Sequence, residues 1–598
     1  MIHSVQPIPM NYKLDQTKEQ SPTSTWSTVR SLLRFLADEK LVLIYTGIIT
    51  IINAGANLIA PLIIAYIIDT YIVTQEFSGV LTFGFVLLGF YLVALVTSYL
   101  QTRLMGGVGQ RVLFMLRSAL FDKLLELPVV FFDSNKTGDL ISRINNDTEK
   151  LNQFFSRTLV SFFSSAIVMV GAAIFMLVLN TKLAIAALLP ALFLVLFTQL
   201  VATWIKRVNA DAARTTGQLS GEISESISNF KVIVAFNQRT FFKQNFAKIN
   251  EENYKKAITA GIANNTYSPV FEFAAYGAQL AVLAYGVYLI VGGELTIGLL
   301  IGFLSYVGSF YDPLRQIASL WANLQVALAS WDRISVILVM KNAMAYLTPE
   351  KKVTPIPLDA SVIAFEGVSF GYDQSTQVLS DITFSLLPGK TYALVGPTGG
   401  GKTTTALLMA RLYDPTKGTV RLHGQDIREF SDQERTQKIG FILQEPILFS
   451  GTLRDNLLYG NAAYVDCDDA AFAAVIKERG LSRLLERFED GLATKVDNTS
   501  SGISLGQKQL IAFMRSVLRE PDVLIMDEAT ANIDTVTEQL LEEVMQQLPK
   551  KTTKIVIAHR LNTIENADEI FFVNAGKVTL AGSMEQALEL LAAGVRGS

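Results

Sequence analysis

The sequence predicts an α-helical membrane domain of six spans fused to an α/β domain built on a phosphate-binding loop. Three observations predict it. Long uncharged apolar runs crowd the first part of the chain, a glycine-rich loop follows a short apolar strand at Gly396–Thr403, and a second such strand ends in Asp527-Glu528. Of 598 residues, 50% are apolar and 18% charged, against roughly 25% charged in an average soluble domain. A net charge of -3 carries no basic bias toward nucleic acid. The single cysteine, Cys467, excludes an intrachain disulfide and Cys-ligated metal sites, and His3, His423 and His559 are too scattered for a metal box.

The first 25 residues are polar, with Pro7, Pro9 and Pro22, and lack the apolar core of a cleaved signal peptide. From Trp26 to Leu36 apolar residues recur at helical spacing around Arg30 and Arg34, which predicts an interfacial helix. The spans are predicted from the runs Leu41–Ile68, Phe77–Thr102, Thr158–Thr181, Leu183–Ile205, Ala257–Gly293 (broken only by Glu272) and Leu295–Tyr311. About 20 apolar residues cross a bilayer. Connections one–two and five–six lack Lys and Arg, and connection three–four has only Lys182, whereas Arg103–Arg157 and Lys206–Lys256 are rich in both. The positive-inside rule therefore puts those two stretches and both termini in the cytoplasm. Val112, Leu113, Leu116, Leu120 and Leu124 repeat at helical spacing, so the cytoplasmic stretches read as helices running on out of the membrane toward a docking surface.

Glu272, Asp312 and Arg315 are ionisable residues in or near spans five and six. A charge at mid-bilayer costs roughly 3 kcal/mol, so such residues face a cavity or pair with one another. Asp312 and Arg315 stand three residues apart and either close on each other or line a cavity; Glu272, with no partner nearby in sequence, is the cavity candidate.

A charged, proline-bearing cluster around Glu350, Lys351 and Lys352 marks a linker. The expected organisation is a polar tail at 1–25, a membrane domain at 26–340, a linker at 341–360 and a soluble domain at 361–598. Within the last, the strand Tyr392–Val395 runs into Gly396, Pro397, Thr398, Gly399, Gly400, Gly401, Lys402 and Thr403, then a helix from Thr404. This is G-x-x-x-x-G-K-T in strand–loop–helix context. The glycines let backbone N–H groups close on phosphates, Lys402 reaches the β and γ phosphates of ATP, and Thr403 ligates Mg²⁺. Val523–Asp527 has the shape of a Walker B strand, with Asp527 on Mg²⁺ and Glu528 as general base; a third strand, Lys554–Ala558, leads to His559, placed to contact the γ-phosphate.

In this order Tyr372, Gly396–Thr403, Gln444, Ile503-Ser-Leu-Gly-Gln507, Asp527-Glu528, Asp534 and His559 resemble the nucleotide-binding domain of ABC transporters. The six preceding spans with two long loops resemble the exporter-type half-transporters of that superfamily, as do the stretches Phe132–Arg143, Val232–Asn237 and Pro313–Gln316. The resemblance implies that Tyr372 stacks on adenine, that Thr404 joins the loop residues in binding the nucleotide, that Gln444 senses Mg²⁺ and γ-phosphate, and that Ser504, Gly506 and Gln507 close on ATP held by the opposite subunit. Asp534 would lie at the dimer seam.

One set of motifs makes one chain half a machine. The partner implied is a second half-transporter. Leu505 takes the third place of the usual L-S-G-G-Q, and Asn498 stands where exporters usually carry glutamate. Both changes affect what the chain offers its partner, which favours a heterodimer; a permissive third position leaves a homodimer open. The function expected is ATP-driven export of amphipathic, drug-like or lipid-like compounds across the cytoplasmic membrane by alternating access, with the bilayer and an amphipathic small molecule as the other partners. Import on the same architecture, or an ATP-gated channel, remain alternatives.

Overall fold

The computed structural model describes residues 12–14, 39–342, 344, 361–373, 376–496, 503–527, 535–557, 566–581, 585–586 and 589. The predicted interfacial helix at 26–36 and nearly all of the linker at 341–360 lie outside them. The chain divides into two compact units: one of residues 21–124 and 138–339, the other of 1–20, 125–137 and 340–598. A short piece of the first long inter-span stretch therefore belongs with the nucleotide-binding residues.

In the membrane unit, six helices among the described residues are long and apolar enough to cross a bilayer: Lys40–Ile72, Phe77–Glu126, Thr137–Leu179, Thr181–Ser228, Arg239–Val291 and Ile297–Val339. Each covers one predicted span to within two residues at its ends. They include the α-helices α1 (Lys40–Tyr66), α2 (Phe77–Glu126), continued in sequence by the short α3 (Val129–Ser134) of the other unit, α4 (Leu159–Leu179), α5 (Thr181–Ser228), α6 (Arg239–Asn265), α7 (Tyr267–Val291) and α8 (Ile297–Val339). Backbone polar groups in lipid must be satisfied within their own segment, which selects helices. At 50 and 48 residues, α2 and α5 reach about 75 Å at 1.5 Å per residue, far beyond a hydrocarbon core of about 30 Å. The inter-span stretches are thus continuations of the spans.

Helix α8 is tied to its neighbours by buried tyrosines. Tyr306 donates to the Leu58 carbonyl of α1 (2.5 Å) and stacks on Phe175 of α4 at 5.6 Å. Tyr311 donates to the Ala187 carbonyl of α5 (2.9 Å), in the turn before Pro190. At its first turn α8 meets α1 through small residues, the packing that lets membrane helices approach closely. A Cβ on Gly298 would lie 2.2 Å from the Ala65 carbonyl, and one on Gly302 3.3 Å from that of Pro61. Just beyond α1, in a π-helical turn at Ile67–Ile72, Asp69 accepts from the Gly298 N–H (2.7 Å) and the Thr296 hydroxyl (2.5 Å). A residue that reads in sequence only as the first of the connection after span one is therefore a carboxylate cap on the N-terminus of α8.

The other end of α8 carries a charged network. Asp147, 1% exposed, has Arg333 at 3.2 Å, Lys150 at 3.2 Å and the donating Ser330 hydroxyl at 3.2 Å. Buried Arg143 is held by Asp139 (2.8 Å) and donates to the Arg333 carbonyl (2.6 Å). Buried charges persist where they are paired and hydrogen-bonded in this way.

The nucleotide unit has two main sheets. The antiparallel sheet, order β2-β1-β4-β5, is built from β1 (Ile363–Phe370), β2 (Leu379–Leu386), β4 (Lys417–Leu422) and β5 (Gln425–Asp426). The six-stranded sheet has the order β12-β11-β3-β10-β9-β6: β3 (Thr391–Val395), β6 (Ile439–Ile442), β9 (Val523–Asp527), β10 (Thr553–Ile557) and β11 (Glu569–Asn574) run parallel, and β12 (Lys577–Leu580) pairs antiparallel at the edge. A small ribbon pairs β7 (Gly451–Thr452) with β8 (Lys495–Val496). The central strands are near-continuous Val/Ile/Leu runs, as in a parallel sheet covered on both faces; all five residues of β9 are buried.

The α1–α8 contact yields a prediction. Gly298→Leu forces a side chain into the Ala65 carbonyl and should lower the thermal unfolding midpoint in detergent, by the equivalent of about 1–3 kcal/mol for overpacking. Gly308→Ala, on the same helix with nothing within 4 Å of the added Cβ, should leave the midpoint unchanged.

Candidate functional site

Ligands of an open parallel sheet bind beyond the carboxyl ends of its strands. The register aligns those ends: Ile557 of β10 pairs with Leu394 of β3 and with Asp527 of β9, and Ile442 of β6 pairs with Met526. One edge therefore carries the start of the loop at Gly396, the Asp527 carboxylate and, two residues past β6, the exposed Gln444. Sequence reasoning placed Glu528 and His559 just past β9 and β10, and Asp534 further on; all three lie outside the described residues.

The loop between β3 and α9 (Lys402–Met409) needs its glycines for a measurable reason. Gly396 has φ +146°, and a Cβ there would sit 2.0 Å from the Val573 carbonyl of β11. Gly401, the N-cap of α9, has φ +111°. Such conformations are open to glycine alone at low cost. The turn aims the first N–H groups of α9, unpaired by helix geometry, into the loop. Lys402 is 6% exposed, and its ammonium donates to the carbonyls of Gly396 (2.9 Å) and Pro397 (3.0 Å). It is thereby folded across the cradle that Gly396, Pro397, Thr398, Gly399, Gly400 and Gly401 form.

Thr403 donates to Asp527 Oδ1 at 3.3 Å, and Asp527 is 3% exposed. A hydroxyl and a carboxylate facing each other are the hard oxygen donors that Mg²⁺ takes beside phosphate oxygens.

Tyr372 follows β1 and is 48% exposed, in contrast to the buried aromatics behind it. Its hydroxyl lies 3.0 Å from the Thr404 hydroxyl, and its ring stands edge-on to Phe370 (5.0 Å) and Tyr413 (5.2 Å). An aromatic face half open to solvent and braced from behind is a platform for a planar base. Burial pushes the Tyr372 hydroxyl above its ordinary pKa, with the Thr404 hydrogen bond working against that rise. Tyr413, whose hydroxyl is likewise pushed up, first by burial and then by the Asp133 carboxylate to which it donates, carries no sequence motif and is absent from the sequence-based site. The only sequence signal near it is the turn Arg411-Leu-Tyr-Asp-Pro415.

The signature residues open helix α10 (Leu505–Val517). Ser504 is its N-cap: its hydroxyl accepts from the Gln507 N–H (3.2 Å), and Gln507 Oε1 accepts from the Ser504 N–H (3.0 Å), a reciprocal capping box. Gln507 also donates to the Arg487 carbonyl (3.3 Å). Leu505 projects from the first turn, 40% exposed, beside half-buried Gly506.

In the membrane unit, Arg315 lies 3.2 Å from Glu272 and 3.8 Å from Asp312, and Ser268 donates to Glu272 at 3.1 Å. Glu272, which has no ionic partner nearby in sequence, has one across helices: α7 and α8 place it nearer the guanidinium than Asp312, three residues from Arg315 on its own helix. All three side chains are 44–71% exposed on the single chain, and together they carry one net negative charge.

Residues 43–314 match the family described as ABC transporter transmembrane region, and residues 379–531 the one described as ABC transporter. The chain is similar to an uncharacterized ABC transporter ATP-binding protein of Bacillus subtilis, 32% identical over 97% of this chain and 95% of the relative. It is also similar to a multidrug resistance ABC transporter ATP-binding and permease protein of Lactococcus lactis (32%, 82% of each). A third relative is a fatty acid ABC transporter ATP-binding/permease protein of Mycobacterium bovis, 31% identical over 84% of this chain and 78% of the relative.

Gly396→Ala should distort the loop at a cost of about 1–3 kcal/mol and weaken binding of a fluorescent ATP analogue about tenfold or more. Unchanged affinity would show that the loop does not hold the phosphates.

Proposed function

This chain belongs to the ABC transporter family as an exporter-type half-transporter whose ATP hydrolysis is coupled to transport, and on that premise we propose that it exports amphipathic, drug-like or lipid-like compounds by alternating access. The observation that carries the reading is the single edge of the β3–β10–β9–β6 sheet that gathers the glycine loop, Lys402, Thr403, Asp527 and Gln444. Relatives named for multidrug resistance, fatty acids and a lipid A-core flippase support the substrate class.

In this reading Tyr372 takes the adenine face, and the loop from Gly396 to Thr404 takes the phosphates. Lys402 leaves its two loop carbonyls for the β and γ phosphates, and Thr403, Asp527 and Gln444 hold Mg²⁺. The metal supplies neutralisation of phosphate charge. Glu528 orients and deprotonates the attacking water, and His559 contacts the γ-phosphate. Ser504, Gly506 and Gln507 meet ATP bound by a second half-transporter across a seam that includes Asp534. ATP then holds two nucleotide domains together, hydrolysis releases them, and the spans alternate between two states.

A heterodimer is the favoured assembly, because the exposed Leu505 side chain stands where the signature usually offers glycine. The site that the chain holds for itself keeps Lys402, Gln444, Glu528 and His559. The proposed location is the cytoplasmic membrane with both termini inside. Arg315, Glu272 and Asp312 are the substrate-cavity candidates, since a net charge is tolerated in a span where it faces a cavity.

The test is Mg-ATPase of the chain reconstituted in lipid, alone and as Glu528→Gln. Turnover by the chain alone, abolished by the substitution, would establish a working homodimer. Folded, ATP-binding protein with little turnover is the result a heterodimer predicts. Parental activity in Glu528→Gln would refute the assignment of the base.

A further inference from the structure

Four polar residues recur on one face of α1 at spacings of four, three and four: Thr46, Thr50, Asn53 and Asn57. Thr46 and Thr50 are buried and use their hydroxyls on their own helix, donating to the Val42 (2.8 Å) and Thr46 (2.7 Å) carbonyls. Asn53 reaches α2, where its Nδ2 donates to the Ala94 carbonyl (2.8 Å) and the Thr97 hydroxyl (2.9 Å). Thr97 in turn donates to the Val93 carbonyl (2.7 Å). Asn57, at the middle of the 33-residue spanning helix Lys40–Ile72, is exposed on the single chain.

These contacts fix which way each amide is turned. A backbone carbonyl only accepts, and the Thr97 hydroxyl hydrogen is already committed, so Asn53 turns its Nδ2 to α2 and its Oδ1 back along α1. There Oδ1 accepts from Asn57 Nδ2 (3.1 Å), which also donates to the Asn53 backbone carbonyl (2.9 Å). The donor end of Asn57 is thereby engaged, and its Oδ1 is left as an open acceptor with no donor among the described residues.

That acceptor does not share the apolar face of α1. The exposed residues Ile48, Ile52 and Ile59 lie about half a turn round from Asn57 at 3.6 residues per turn, on a face fit for lipid. On its own side Asn57 is flanked by Asn53, tied to α2, and by Pro61 and Ala65, which meet Gly302 and Gly298 of α8. An amide carbonyl left unpaired in hydrocarbon forgoes the hydrogen bond that water would supply. An open acceptor at mid-span, turned away from the apolar face, belongs to a polar or water-filled space.

We propose that Asn57 Oδ1 accepts a hydrogen bond from the transported compound and so selects amphiphiles that carry an N–H or O–H donor, with Asn53 as the positioning residue that turns this acceptor to the compound. The proposal rests on the export reading for the compound's passage, and on the hydrogen bonds between α1 and α2 for the direction of the amide. Glu272, Asp312 and Arg315 act on a compound's charge, whereas Asn57 acts on its donor, so the two selections are separable.

Equilibrium binding to the chain and the half-transporter it assembles with, reconstituted together in lipid nanodiscs, reads this contact without requiring turnover. The probes are a rhodamine methyl ester with free amino groups and tetramethylrhodamine methyl ester, which share ring system, ester and charge and differ in whether the amines carry hydrogen or methyl. Asn57→Leu should weaken binding of the free-amino dye about tenfold, the factor that one hydrogen bond sets, and leave the tetramethyl dye within about twofold of the parent, which also shows that the variant is folded. Asn57→Gln, which keeps an acceptor, should retain the parental difference between the dyes. Equal weakening of both dyes in Asn57→Leu, as a contact with the partner subunit would give, or no change in either, as a lipid-facing side chain would give, would overturn the proposal, as would a parent that binds neither. Failure of the export reading shows separately, as inside-out vesicles in which MgATP drives no uptake of a dye that the protein binds.

Discussion

The nucleotide unit depends on one close approach. The backbone of Gly396 and Gly400 lies so near the Val573 carbonyl of β11 that a Cβ on either would fall within 2.0 and 2.5 Å of it. That contact seats the loop on the sheet, and the seated loop sets the direction of α9, the reach of Lys402 and the meeting of Thr403 with Asp527. Parallel pairing supplies the rest, because β3, β9, β10 and β6 in register bring residues far apart in the chain to one edge. The chemistry is concentrated where the topology leaves strand ends and helix starts open.

The membrane unit answers to a different constraint. Its spans cannot leave backbone groups unpaired in lipid, so every crossing is helical, and specificity is left to a few polar contacts between helices. Tyr306 and Tyr311 hand hydroxyls to carbonyls of α1 and α5, Asp69 caps α8, and Arg315 bridges two carboxylates. Each is a polar group satisfied by a partner on another helix or at a helix end, as a low-dielectric setting demands.

Much of this was legible in the sequence, for reasons specific to particular residues. The spans were readable because about 20 apolar residues in a row have few other uses. The loop was readable because glycines, a lysine and a threonine are needed at fixed spacing to cradle phosphate, and Asp527 because it ends a buried strand in the right order after that loop. The pairing of Glu272 with Arg315 was not readable, since it depends on the rotational phase of two helices that apolar composition leaves open. Asp69 read as a loop residue because capping is visible only once Gly298 is beside it. Tyr413 and Asp133 are 280 positions apart, and although Asp133 lies in the exporter-like stretch Phe132–Arg143, nothing in the sequence pairs the two. Glu528, Asp534 and His559 stand on the sequence alone.

The central claim is that ATP hydrolysis drives compounds out through this chain. The most direct measurement is accumulation of a fluorescent amphipathic dye such as ethidium in inside-out membrane vesicles from cells expressing the chain with the half-transporter it assembles with. The parent and Glu528→Gln would be compared under MgATP and under a non-hydrolysable ATP analogue. Accumulation that requires MgATP and is lost in Glu528→Gln is the predicted result. Equal dye movement with the non-hydrolysable analogue, which a gated channel would give, or ATP-driven depletion of the vesicles, which import would give, would contradict it.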